Sequence, residues 1–204
     1  MLKLYKQNEL FASGVMILKK LVVVDMQNDF IDGSLGTKEA VAIVDNVKNK
    51  IGEYNPSDVY VTLDTHGPNY LNTQEGQNLP VEHCIKGTYG WQLSPAIEEM
   101  LEDAHVFEKP TFGSTDLAET LKELAGEDYP DGEGMEIELV GLCTDICVVS
   151  NALIIKALYP EIPVRVNASC CAGVTPEAHE AALKTMKSCQ VEIIYSFLRN
   201  QSEM

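Results

Sequence analysis

The sequence predicts an α/β protein, with a parallel sheet of six strands sandwiched between layers of helices. Three observations predict it. Short β-rich runs alternate with segments of helical period along most of the chain. The first of these runs, "LKKLVVVD" (18–25), is apolar without alternation, as in a strand buried on both faces. No repeat or low-complexity tract breaks the pattern, so right-handed crossovers between parallel strands are the expected connections.

The elements follow in order. After strand 18–25, "TKEAVAIVDNVKNKIGEY" reads as an amphipathic helix, with Thr37 as N-cap and Glu39 in its first turn. Strand "DVYVTLD" (58–64) leads into a long polar loop to about residue 93. "SPAIEEMLED" then has a capping Ser94 and Pro95 at the first helical position. Strand "HVFEK" (105–109) precedes helix "DLAETLKELAG", and "GEDYPDGEG" is an acidic turn region. Strand "EIELVGL" (136–142), a helix from about 146 to 158, strand "PVRVNAS" (163–169), helix "PEAHEAALKTMKSC" (176–189) and strand "VEIIY" (191–195) complete the series. The folded domain is expected to span 16–204, with "MLKLYKQNELFASGV" (1–15) as an extension.

Composition narrows the function classes. Of 204 residues, 45% are hydrophobic and 23% charged, the balance of a globular protein. A net charge of −16, from 15 basic against 31 acidic residues, disfavours nucleic-acid and anionic-membrane partners. No apolar stretch approaches the ~20 residues that span a bilayer. The N-terminus lacks the apolar core and cleavage site of a signal peptide. A cytoplasmic location with six reduced cysteines is therefore expected.

In such sheets a site forms at the carboxyl ends of the strands. Asp25 ends the first strand, Asp64 and His66 the second, and Lys109 the third; the fourth delivers Thr144, Asp145 and Cys147. Singly, each has a bland explanation: Asp25 a turn residue, Lys109 a surface charge, Cys147 a small buried apolar group. Cys143 and Cys147, in "GLCTDIC", could likewise be a disulfide, half a metal site, inert thiols, or a nucleophile with a bystander. The coincidence of carboxylate, lysine and thiol on one sheet edge favours chemistry. Cys147 at a helix start, with Lys109 nearby, would have its thiol lowered from ~8.5. Asp25 could take the thiol proton and pass it to a leaving amine. Backbone N–H groups of the turn could meet an oxyanion, with Cys143 supplying a donor rather than a second thiol.

Three segments, "LVVVDMQNDF", "VFEKPTFGSTDL" and "GLCTDICV", resemble those of the isochorismatase-like cysteine hydrolases, and within them the nicotinamidases. The similarity runs from about 17 to 195. It implies a three-layer α/β/α fold with sheet order 3-2-1-4-5-6 and a catalytic triad of Asp25, Lys109 and Cys147. It also implies a cis peptide at Leu142–Cys143 and oxyanion donors from the N–H groups of Cys143 and Cys147.

"TLDTHGPNYLNTQEGQNLPVEHC" holds two of the chain's four histidines. Asp64 and His66, two apart, project to one side of an extended chain. His83 returns from the loop, with Glu75 between. This donor set suits one divalent ion, zinc first, with iron or manganese as alternatives. In the resembling nicotinamidases an Asp-x-His pair and a later His bind a metal that holds the substrate's pyridine nitrogen, and some add a glutamate. Isochorismatases lack the set. Phe30 matches a ring contact of the family. The aromatic that many nicotinamidases carry shortly before the last histidine is absent from "NLPVEHC", which offers Leu79 and Pro80. Trp91 or Tyr89 is a possible substitute.

Other features carry less. "VVVDMQND" suggests a phosphatase aspartate, yet Gln27 stands where a second Asp would be needed, and no glycine-rich phosphate loop opens the first helix. Cys170 and Cys171 read as packing residues, Cys84 as a weak candidate ligand, Cys189 as core and His179 as a surface, core-edge or subunit contact. The expectation is thus a metal-dependent cysteine amidohydrolase, a nicotinamidase, with a small-molecule amide as partner, assembled as a homo-oligomer. Alternatives are a related hydrolase of another amide, ureido or carbamoyl compound, a metal-free isochorismatase-like hydrolase, and an inactive binding module.

Overall fold

In the computed structural model, residues 17–128 and 134–195 are described. The expected extension, 1–15, lies outside them. The elements run β1 (Leu18–Val24), α1 (Asn28–Ile31), α2 (Lys38–Ile51), β2 (Val59–Asp64), α3 (Gln74–Asn78), α4 (Pro95–Glu98), β3 (His105–Lys109) and α5 (Thr115–Asp128). They continue with β4 (Met135–Leu142), a π-type turn over Thr144–Val148, α6 (Val149–Leu158), β5 (Val164–Ala172), α7 (Pro176–Ser188) and β6 (Glu192–Ile194). The six strands form one all-parallel sheet in the order β3-β2-β1-β4-β5-β6, as expected.

The unbroken apolar runs make two cores. Successive side chains of β1 point to opposite faces. Leu21 and Val23 pack with α2 residues Ile43 and Val47. Val22 and Val24 pack with Leu117, Leu121, Ile155 and Met186 from α5, α6 and α7. Each fully buried Val or Leu contributes about 1.5–3 kcal/mol, so a strand with two apolar faces holds both helix layers. Helix starts follow their caps: Thr37 accepts from Ala40 N at 3.0 Å, and Thr175 accepts from Ala178 N at 3.1 Å ahead of Pro176.

Several boundaries differ from expectation. The helix predicted over 94–103 ends at Glu98, because the N–H groups of Met100 and Leu101 bond only three residues back, to Ile97 and Glu98. β5 extends to Ala172, since a register shift re-pairs Gly141 with Cys171 and Leu142 with Ala172. β6 is shorter, at Glu192–Ile194. The helix expected from about 146 opens as the π-type turn. Within β4, Gly141 has φ +116°, and a Cβ there would meet Val24 O at 2.1 Å. Only glycine lets β4 lie that close to β1, just before the site. No helix among the described residues is long and apolar enough to cross a membrane.

Candidate active site and metal site

The strand register assembles the site. β2 pairs with β3 so that Asp64 lies beside Lys109, and β1 ends one residue before Asp25. Asp25 has φ 47°, a left-handed conformation costly for a non-glycine residue. Its carboxylate is held there by Thr62, whose hydroxyl donates to Oδ1 at 2.6 Å.

Lys109 is 1% exposed, a central cation rather than a surface charge. Its Nζ lies 2.7 Å from Asp25 Oδ2, 3.4 Å from Asp64 Oδ1 and 3.5 Å from Cys147 Sγ. An ammonium has three donors, and here three acceptors surround it. The 2.7 Å contact to Asp25 is the shortest of the three. The three residues expected to form a triad are thus brought together. Burial would depress the lysine, but Asp25, Cys147 and Asp64 hold its pKa above the ordinary value. Burial raises Asp25, and Lys109 only partly opposes the shift.

The expected lowering of the Cys147 thiol is corrected by the structure. Burial and the adjacent Asp25 carboxylate push its pKa well up, and Lys109 does not overcome them. The turn's N–H groups do not all serve it either: those of Ile146 and Val148 donate to Cys143 O at 3.1 and 3.0 Å. The resting sulfur is therefore a neutral thiol beside a carboxylate of raised basicity. The Leu142–Cys143 peptide is cis, and Cys143 and Cys147 both line the cavity. Cys143 and Cys147 form no disulfide, so that alternative falls. Cys143's thiol is pushed up to about 12 by burial and by Asp145.

Asp64, His66 and His83 form the group able to hold a metal, all three buried. Asp64 Oδ2 lies 2.9 Å from His66 Nε2 and 3.5 Å from His83 Nε2. Glu75 Oε1 stands 3.6 and 3.7 Å from the same nitrogens, at the edge of the group. Donors 2.0–2.2 Å from a tetrahedral ion lie roughly 3.4 Å apart, so these spacings fit. His66 Nε2 has no aligned hydrogen bond despite the short approach to Asp64. His83 Nδ1 faces Val81 O at 2.9 Å; donation there turns the Nε2 lone pair toward Asp64 Oδ2. Lone pairs converging in a buried spot call for a cation. Burial would raise Asp64, yet the neighbouring His66 and His83 and the charge of Lys109 hold its pKa well below the usual carboxylate range. Burial would lower His83, but Asp64 and the Val81 carbonyl raise it.

Both groups open on a cavity of about 760 Å³, lined by Asp64, Glu75, His83 and Cys147. Phe30 lines it too, its ring 5.5 Å from that of His83. Leu79 is on the wall, whereas Trp91 and Tyr89 are not among the lining residues, which removes them as substitutes for the missing aromatic. Trp91 instead donates from Nε1 to Thr65 Oγ1 at 2.9 Å, and Tyr89 is exposed.

Several supporting residues were missed in the sequence. Gln27 bonds both sides of the Asp64 backbone. Asp29 Oδ2 accepts from Cys84 N at 2.8 Å, next to His83. Tyr70 packs 4.7 and 4.9 Å from the His66 and His83 rings. Gln27 and Asp29 lie in the "DMQNDF" run that drew attention to Asp25; nothing in their spacing signals these bonds. Cys84 is buried outside the metal group, Cys170 and Cys171 pack in the cores, and Cys189, expected as core, is exposed at the end of α7. His179 Nδ1 lies 2.8 Å from Thr144 Oγ1, so α7 buttresses the turn that carries Cys147.

The isochorismatase domain model matches residues 19–196. The nicotinamidase/pyrazinamidase of Mycobacterium tuberculosis is 27% identical over 187 residues, spanning 88% of this chain and 100% of that protein. An uncharacterized isochorismatase family protein, PncA of Bacillus subtilis, is 30% identical over 179 residues, with 81% and 92% covered. Among solved structures, the pyrazinamidase of Pyrococcus horikoshii in complex with zinc aligns with TM-score 0.69 at 28% identity, covering 88% of this chain and 99% of that one. With the cis turn, the strand order and the match across nearly the whole described fold, the chain belongs to the isochorismatase domain family.

Proposed function

We propose that this protein is a metal-dependent cysteine amidohydrolase, a nicotinamidase that converts nicotinamide and water to nicotinate and ammonia. The observation that carries the reading is Lys109, whose ammonium touches both Asp25 and Cys147 beside a buried metal-type donor set. The names of the M. tuberculosis and P. horikoshii relatives agree with it, and the zinc in the latter makes zinc our choice of metal.

Each residue has a task. The Cys147 thiol gives its proton to Asp25 as sulfur bonds to the carboxamide carbon. The oxyanion accepts hydrogen bonds from the N–H groups of Cys143 and Cys147. Asp25 returns the proton to nitrogen as the C–N bond breaks, releasing ammonia and leaving a thioester on Cys147. Water then attacks that thioester with Asp25 as base, and nicotinate leaves as the thiol regains its proton. Lys109 stays charged and holds Asp25 toward the sulfur. A divalent ion on Asp64, His66 and His83, with Glu75 at the edge, would supply a Lewis-acid anchor for the pyridine nitrogen. Phe30 would pack on the ring. A homo-oligomer, a cytoplasmic location and a catalytic unit beginning at Met16 complete the proposal.

The test is ammonia release from nicotinamide. Wild-type protein turns over, and Cys147→Ala, folded by circular dichroism, does not. Retained turnover in that variant overturns the covalent scheme.

A further inference from the structure

The cavity is much larger than the proposed substrate requires. One six-membered ring with a carboxamide fills a minor part of about 760 Å³, whereas cavities of roughly 300–1,000 Å³ take drug-sized ligands. Its chemistry also divides. The inner end carries the buried Asp64, His83 and Cys147. The outer, less buried part of the lining includes the apolar Leu79, Phe112, Ile146 and Val174, with Gln74, Asn78 and Thr111 among its polar points. Leu79, Phe112 and Val174 are solvent-exposed apolar side chains drawn from three different loops, and they share this one cavity.

We infer that this outer chamber is a subsite for an apolar substituent on the ring of the amide substrate, so that the preferred substrates are ring-substituted pyridine carboxamides. The inference rests on the amidase reading above and deepens it. The substituent belongs on the ring rather than on the amide nitrogen. The leaving nitrogen must meet Asp25, which is 0% exposed and packed against Lys109 and Thr62, where no apolar group fits. That leaves the ring as the part of the substrate able to reach the outer walls. Each methylene buried there should improve binding roughly fourfold.

The experiment compares nicotinamide with nicotinamides bearing a propyl group at each free ring carbon in turn, using metal-loaded protein. The matching propyl nicotinates are titrated by calorimetry. We expect at least one propyl isomer to exceed nicotinamide in kcat/KM by about tenfold or more, through KM. The double variant Phe112→Ser, Val174→Ser should erase that advantage and leave nicotinamide turnover within about twofold. If every propyl isomer is poorer than nicotinamide in turnover and in carboxylate binding, the subsite does not exist. Equal losses for both substrates in the double variant would also overturn it. If no amide at all releases ammonia, the amidase reading falls, and tighter binding of a propyl nicotinate than of nicotinate decides the chamber by itself.

Discussion

Gln27 clamps the backbone of Asp64 from both sides: its Oε1 accepts from Asp64 N at 2.8 Å and its Nε2 donates to Asp64 O at 2.8 Å. The same Nε2 donates to Trp91 O at 2.8 Å, tying the far end of the long loop to the end of β2. A metal-type carboxylate is thereby aimed by a residue of the β1–α1 turn.

Replacing Gln27 by Ala should therefore loosen Asp64 without touching the donor set. We expect metal affinity to fall about 10–100-fold, the usual cost of removing a residue that orients a ligand. Buried backbone groups left unpaired should also cost about 1–3 kcal/mol of stability. Metal titration and denaturant unfolding read the two effects, and unchanged metal affinity would refute the clamp.

Cys143 and Cys147 should separate cleanly. Cys143 is proposed to act through its backbone, so Cys143→Ala should keep ammonia release within about tenfold of wild type, whereas Cys147→Ala loses it. A dead, folded Cys143→Ala would give the first thiol a role that this mechanism lacks.

The donor group predicts linkage between metal and stability. An ion bound only by the folded protein, at 100 times its Kd, should add about 2.7 kcal/mol, visible as a rise in Tm. Chelation should reverse the rise, and His83→Ala should abolish it. An identical Tm with and without zinc would count against the site.

Tyr54 sets an alkaline limit. Its hydroxyl donates to Glu138 Oε2 at 2.8 Å, and burial together with that carboxylate holds the phenol far above its ordinary value of 10.0. A folded pKa above the unfolded one means stabilisation that is complete below about pH 10 and lost as pH climbs through the raised value. Tm should accordingly drop above about pH 10. Tyr54→Phe should be less stable at neutral pH by about 1.5–3 kcal/mol, the value of a hydrogen bond to a charged group, with a shallower alkaline decline. Parallel pH curves for the two proteins would refute the assignment.

Legibility from sequence varied by residue. Asp25, Lys109 and Cys147 could be found because each follows a recognisable apolar run, and parallel topology brings the ends of such runs to one edge. Asp64 and His66 could be paired because alternation along an extended chain is a local rule. Thr62, Gln27 and Asp29 could not be found as supports, since each acts across 37 to 55 positions through a bond whose partner no local pattern names. The Cys147 thiol was misread for the same reason. Its helix start is local, but the burial and the Asp25 carboxylate that outweigh it come from the rest of the fold.

By itself, then, the order of residues determined the strands, the crossovers and the set of side chains delivered to one edge, because periodicity and end groups are written locally. Only the tertiary structure decided that Lys109 is buried between three acceptors, that burial pushes the Cys147 thiol up rather than down, and that Leu79, Phe112 and Val174 share one cavity with Cys147. Those are properties of distance and solvent exclusion, and they exist only once segments far apart in the chain have packed together.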